Sequence, residues 1–108
     1  MQEIIHRAVA EREDDRGNPW TKHANIRSVS KLSDGIVLRL ELSDQTESSI
    51  GSRMTKAKEV DIRYDLQDEI CRHKDLEYLL SRGGGIVISV FDKTGSEVLV
   101  AKTQQDHC

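Results

Sequence analysis

Two cysteines and two histidines give the sequence the donor set of a zinc site. Cys71 and His73 are two positions apart, and His107 and Cys108 are the last two residues. Thiolate and imidazole are ligands that zinc prefers. However, residues two positions apart on a helix point about 200° away from each other, so Cys71 and His73 cannot bind one ion there. The spacing therefore predicts no metal and no cofactor, with Cys71 as a small, half-buried apolar group.

An acidic pair near the middle of the chain is the other candidate for chemistry. Asp61 and Asp65 are four positions apart, where a strand over 60–64 is expected to lead into a helix. Two carboxylates held there can bind a hard cation or transfer protons. Asp65 is also placed to cap that helix, which is the commoner role. We predict no catalytic residue, and a small enzyme or metal-binding protein using Cys71/His73 or Asp61/Asp65 remains an alternative.

Two glycine-containing motifs carry residues that phosphate chemistry uses. Residues 92–95 read Asp-Lys-Thr-Gly, a sequence in which an aspartate can be phosphorylated, but they also form a good hairpin turn between two β-rich runs. Residues 83–85 are three glycines that end a predicted helix and precede a strand, whereas a phosphate-binding loop follows a strand and opens a helix. We expect a turn and a helix stop, and no small-molecule ligand.

Basic residues form a modest cluster at Arg53, Lys56 and Lys58 within a long polar connection over 43–58. Such a cluster can bind phosphates, so a nucleic-acid-binding accessory protein is an alternative function. The formal net charge is −3, and the one Trp, one Phe and two Tyr are scattered along the chain. Nucleic-acid binders usually carry excess positive charge and stacking aromatic residues. The charge balance therefore disfavours this alternative.

The first helix, expected over 2–16, offers a surface for a protein partner. Ile4, Ile5 and Val9 lie on one face of a helical period, and most of the other positions are charged. Such a narrow apolar stripe is suited to docking on another chain. Trp20 follows in a predicted loop, where it either covers the core or anchors a partner. We name these four residues as the candidate partner-binding site.

Apolar periodicity predicts an α+β fold. Residues 24–32, 36–42, 60–64, 86–91 and 97–102 are expected to be strands, and residues 65–82 a central helix. Two hairpins and one strand–helix–strand crossover give a single mixed, mainly antiparallel sheet of about five strands. The N-terminal and central helices should cover one face. Residues 1–103 are expected to form one domain, and residues 104–108 a flexible polar tail.

Composition narrows the class of protein further. The chain has 108 residues, of which 32% are charged and 36% are apolar, and no run is long enough for a membrane span. Free thiols and the lack of an apolar leader favour a soluble cytoplasmic protein. We therefore predict a small non-enzymatic accessory protein that binds a protein or forms a homodimer. An inhibitor or adaptor of bacterial, phage or mobile-element origin fits this class.

Overall fold

A computed structural model describes residues 2–21, 24–42, 56–92 and 94–103. Three helices and five strands follow one another in these described ranges. They are α1 (Gln2–Asp14), β1 (Pro19–Thr21), β2 (Ala24–Leu32), β3 (Gly35–Leu42), α2 (Lys56–Arg72), α3 (Lys74–Ser81), β4 (Gly85–Phe91) and β5 (Glu97–Thr103).

One five-stranded sheet contains the strands in chain order, β1-β2-β3-β4-β5. All neighbouring pairs are antiparallel except β3 and β4, which run parallel because α2 and α3 connect them. Mixed sheets of this kind with helices on one side belong to the α+β class. The predicted α+β fold with a single mixed sheet is confirmed.

The core lies between the sheet and the helices. In β3 every second side chain is fully buried, as the alternation predicted, and those between are half-buried. Helix α1 packs on β2 and β3, α2 reaches both sheet edges, and α3 packs on β4. The helices contribute to the same apolar cluster with Ile5, Ala8, Ile62, Leu66, Ile70, Leu76, Leu79 and Leu80. The described helices thus share one face of the sheet.

The strand predicted over 60–64 is wrong, because these residues lie inside α2. Their alternation of apolar and polar residues is coincidental. Ile62, Leu66 and Ile70 are four positions apart and fully buried, which is the spacing of one helix face. The predicted cap Asp65 consequently lies in the middle of a helix, and the crossover begins at β3.

Three further boundaries differ from the prediction. Helix α1 ends at Asp14, two residues early, and Trp20 lies in the short strand β1 instead of a loop. The central helix is interrupted at His73, whose φ of −98° and ψ of 115° are extended values. An extended residue cannot continue a helical hydrogen-bond ladder. The interruption therefore allows α3 to take its own direction towards α1.

The parallel junction of β3 and β4 depends on a glycine at position 35. Gly35 does not have a positive φ, so its backbone conformation alone does not require glycine. It lies opposite Gly85, and a Cβ on Gly35 would come 1.9 Å from the Gly85 carbonyl oxygen. The two backbones therefore approach too closely for a side chain at Gly35. Glycine is required here for space and not for backbone conformation.

Candidate functional site: the α1–α3 groove

Helices α1 and α3 lie side by side and leave a groove of about 570 Å³ between them. Its lining combines two large side chains that offer apolar surface with two acidic and two basic ones. These residues are Glu3, Ile4, Arg7, Lys74, Asp75 and Tyr78. The groove therefore offers apolar surface flanked by charges of both signs, which is the composition of many peptide-binding grooves.

Tyr78 is the most prominent side chain of the groove, with 52% of its surface exposed. A half-exposed tyrosine beside the half-buried Ile4 provides a large contact area at little cost in side-chain entropy. On the α1 side, Arg7 forms an exposed ion pair with Glu3 at 3.6 Å. A pair so exposed contributes little to stability, so its members are free to exchange partners when a charged segment binds.

Beneath the groove, a buried ion pair joins α1 to α3. Both terminal nitrogens of Arg12 donate hydrogen bonds to the Asp75 carboxylate, Nη2 to Oδ1 at 2.8 Å and Nη1 to Oδ2. The Arg12 Nη1 atom also donates to the Ala8 carbonyl oxygen at 3.3 Å. The Arg12 side chain is 4% exposed and that of Asp75 is 23% exposed. This bidentate pair fixes the angle between the two helices that form the groove.

The ionisation of Asp75 follows from this pairing. Partial burial acts to raise the pKa of the Asp75 carboxyl, but the hydrogen bond and positive charge of Arg12 outweigh it. A hydrogen bond from the Leu76 backbone also lowers the pKa of Asp75. The pKa of Asp75 therefore lies below its usual value, and the carboxylate is charged at neutral pH.

Arg12 is a structural residue that the sequence analysis missed, because it is one of the many charged positions beside the apolar stripe of the first helix. The signal was present in its spacing. Ile5, Ala8 and Arg12 are three and four positions apart, and all three are buried. An arginine that continues an apolar stripe points into the protein and needs a buried acceptor.

The interruption between α2 and α3 is packed against β1. The His73 ring stacks on Trp20, with ring centres 4.7 Å apart and planes inclined by 13°. His73 Nε2 lies 3.0 Å from Glu69 Oε2. Trp20 is 6% exposed and belongs to the core, and its Nε1 atom is buried with no hydrogen-bond partner among the described residues. Of the two roles considered for Trp20, covering the core is the one its burial supports.

Cys71 is half-buried, as expected, but it is disulfide-bonded, so the expectation of a free thiol is wrong. The sequence contains one other cysteine, Cys108, which with His107 and the rest of the predicted tail lies outside the described residues. A disulfide at Cys71 excludes a thiolate ligand or nucleophile there. Among the described residues, no group of three or more His, Cys, Asp or Glu side chains is arranged to hold a metal ion.

The other predicted site residues are dispersed. Ile5 is fully buried and cannot contact a partner in this structure, whereas Ile4 and Val9 are half-buried. Only Ile4 lines the groove, and the partner-binding role of the stripe remains a prediction. Asp61 and Asp65 both lie within α2.

The basic cluster predicted to bind nucleic acid lies only partly within the described residues. Arg53 lies outside the described residues, and the side chains of Lys56 and Lys58 are not described either. Nucleic-acid binding at these residues therefore stays a prediction.

The turn predicted at Asp92 is confirmed. The Asp92 Oδ1 atom accepts hydrogen bonds from Thr94 N at 2.9 Å, Thr94 Oγ1 at 2.5 Å and Ser96 N at 3.0 Å. The bond from the Thr94 hydroxyl, followed by that from the Ser96 backbone, holds the pKa of Asp92 below its usual value. Gly95 completes the turn with a φ of 90°. The carboxylate thus closes the β4–β5 hairpin.

Comparison with solved structures identifies the architecture. A candidate secreted protein from Pseudomonas aeruginosa is similar over 98% of this chain and 90% of its own, with a TM-score of 0.74 and 15% identity. The type II secretion system pilotin AspS of Vibrio cholerae is similar over 99% of this chain and 90% of its own, with a TM-score of 0.71 and 13% identity. The type 2 secretion system pilotin EpsS of Vibrio vulnificus is similar over 99% of this chain and 93% of its own, with a TM-score of 0.64 and 9% identity. This chain shares their fold.

At these identities the likeness establishes the fold alone. No protein-family model and no curated protein matches the chain. No helix among the described residues is long and apolar enough to cross a membrane.

The cytoplasmic localisation expected from the sequence is wrong. The structural neighbours are a candidate secreted protein and two pilotins of a type II secretion system. The expectation rested on free thiols together with the lack of an apolar leader. The disulfide at Cys71 removes the first of these supports, because such bonds form and persist in oxidising compartments.

Proposed function

We propose that the protein is a non-enzymatic accessory protein of a secretion system, which binds a segment of another protein in the α1–α3 groove. The shared fold with two type II secretion pilotins is consistent with a small accessory protein. The observation that carries the proposal is the groove itself, with the exposed Tyr78 beside Ile4 and charges on both rims.

The groove is suited to an amphipathic segment of the partner. An apolar residue of that segment would contact Tyr78 and Ile4, while a charged residue beside it would pair with Arg7 or Lys74. Aromatic residues in such positions often dominate binding energy. The buried Arg12–Asp75 pair holds α1 and α3 in place before binding, so the groove does not have to be formed by the partner.

Site-specific photocrosslinking in the source organism tests this function. A photoreactive phenylalanine analogue at position 78 should crosslink to one protein, identified by mass spectrometry as a secretion-system component. The matched control places the same analogue at Leu32, which is exposed at the C-terminal end of β2 and does not line the groove. The proposal fails if position 78 gives no crosslink beyond that seen from position 32, or crosslinks only to unrelated proteins.

Titration of the identified partner with purified protein gives the energetic test. We expect Tyr78→Ser to weaken binding at least about tenfold, because truncating a central aromatic contact costs more than about 1.4 kcal/mol. Leu32→Ser should leave affinity unchanged. Equal affinities for Tyr78→Ser and the unmodified protein, with both proteins folded, would place the binding surface elsewhere.

A further inference from the structure

Strand β5 forms one edge of the described sheet. It pairs with β4 on one side, and no described strand pairs with its other side. Backbone groups along a strand point alternately to its two sides, so the N–H and C=O of Val100 and Lys102 share one direction. That direction is outward, because the Val100 carbonyl oxygen accepts a hydrogen bond from the helix residue Arg63 at 2.6 Å. Unpaired edge groups of this kind are a template for another strand.

Arg63 occupies this edge from α2. Its Nη1 atom donates to the Val100 carbonyl, while Glu59 holds the same guanidinium through Nε at 3.2 Å and Nη2 at 2.9 Å. An incoming strand would need that carbonyl for its own N–H group. Arg63 and an added strand therefore compete for one acceptor, which makes Arg63 a reversible cap on the edge.

Exposed apolar residues surround the cap. Three of the five large apolar side chains that are exposed in the described ranges are Val60, Tyr64 and Val100. Val60 is three positions before Arg63 and four before Tyr64, so these residues border the same flank of α2. Arg63 thus connects the solvent-exposed flank of α2 to the outer edge of β5, and exposed apolar side chains lie on both sides of this contact.

We propose that this surface binds a second copy of the chain, whose β5 strand adds antiparallel to β5 about a two-fold axis at Val100. This register is self-complementary. It places Val100 opposite Val100 of the second copy, and Leu99, which is buried on the core face, opposite Ala101 on the same face. Lys102 of each copy lies opposite Val98 of the other, one position from Glu97, and the register shift between Val90 and Phe91 puts Glu97 on the exposed face with Lys102. Two opposite-charge contacts then form at each interface.

Removal of the cap should strengthen the association. Arg63→Ala frees the Val100 carbonyl for the second strand, and it removes a charge-assisted hydrogen bond that has to break before pairing. We expect the dimer dissociation constant to fall at least about tenfold in sedimentation velocity measurements over a range of concentrations. Arg72→Ala, on the same helix but without a contact to β5, is the matched control and should not change it.

The register has a covalent test. A hydrogen-bonded antiparallel pair has Cα atoms about 5.5 Å apart, within the range that a disulfide spans. Val100→Cys should therefore form a disulfide-linked dimer under mild oxidation, and Cys71 does not compete because it is already bonded. Leu32→Cys, at an exposed site away from this edge, is the control and should remain largely monomeric.

A proline at the edge separates strand addition from other modes of association. Val100→Pro removes an outward N–H and leaves the ladder with β4 intact, so it should abolish dimers while thermal unfolding stays cooperative. If Val100→Pro does not fold, the Arg63→Ala and Val100→Cys variants test strand addition without it. A strictly monomeric Arg63→Ala protein, or crosslinking of Val100→Cys no greater than that of Leu32→Cys, would overturn the proposal. Neither result bears on partner binding in the α1–α3 groove.

Discussion

Two arginine–aspartate pairs in this protein each have a contact of 2.8 Å and very different surroundings. Arg12 and Asp75 join α1 to α3 at 2.8 Å, with side chains 4% and 23% exposed. Arg72 and Asp68 lie one turn apart on α2, also at 2.8 Å, with side chains 68% and 47% exposed. This contact distance is equal in the two pairs, but only the first pair is largely removed from solvent. Burial, and not contact distance, decides which pair the fold depends on.

Breaking the buried pair from one side should have the largest effect. Asp75→Ala leaves the buried Arg12 guanidinium with two weaker acceptors, the Ala8 carbonyl oxygen and the exposed Glu11 carboxylate, each 3.3 Å from Nη1. Because the bidentate partner is lost, we expect the free energy of unfolding to fall by about 3 kcal/mol. Urea titration followed by circular dichroism measures this change. A loss below about 1 kcal/mol would show that Arg12 reaches water in the variant, and the contrast with the exposed pair would disappear.

Replacing both partners sharpens the contrast. In Arg12→Met with Asp75→Leu no charge is left buried, and the two side chains fill similar volumes. We expect the double variant to recover at least about 2 kcal/mol of the loss caused by Asp75→Ala. The same urea titration provides the comparison. A double variant no more stable than Asp75→Ala would mean that the pair, and not the desolvated charge, accounts for the loss.

Acid should weaken the buried pair. The pKa of Asp75 is lower in the folded protein than in the unfolded chain, where an aspartate carboxyl has a pKa of about 3.9. The pair therefore contributes its full stability above that unfolded value. This contribution is lost as the pH falls through the lower pKa of the folded protein. Unfolding free energies measured from pH 7 to pH 2 should fall more steeply for the unmodified protein than for Asp75→Asn. Asp92, whose pKa is also lowered, titrates in both proteins and cancels in the comparison. Parallel curves would contradict the assignment.

The exposed pair should have the smallest effect. Asp68→Ala removes the carboxylate that contacts Arg72, and we expect the free energy of unfolding to change by no more than about 0.5 kcal/mol, with a smaller change at high salt. A loss above about 1.5 kcal/mol would show that α2 relies on its surface charges.

The four long strands were predictable because each carries a run of seven to nine residues with its own alternation or apolar character. The failure at 60–64 has a clear physical origin. Five alternating residues match a strand and a charged helix turn equally well, and the buried positions Ile62 and Leu66 reveal a helix only when they are considered together. Strand β1 has three residues, which is too short for any period to be visible.

The candidate groove was only partly predictable, because it depends on how two distant helices pack. The apolar stripe on α1 pointed to Ile4, but nothing local indicated that Tyr78 would lie across from it. Arg12 pairs with Asp75 across 63 positions of sequence, and a single sequence does not reveal such a pairing. Tertiary contacts of this kind appear only when the sheet has set the spacing between the helices.

The contact between Gly35 and Gly85 has a consequence for evolution. Proteins with this fold can differ at more than four positions in five, as the 9–15% identities show. At the start of β3, however, any side chain would collide with the peptide group of the opposite strand. We therefore expect a glycine at this position to be conserved in relatives of this chain in which β3 and β4 also start side by side, even where most other residues differ. Such a glycine would help to recognise distant relatives of this chain.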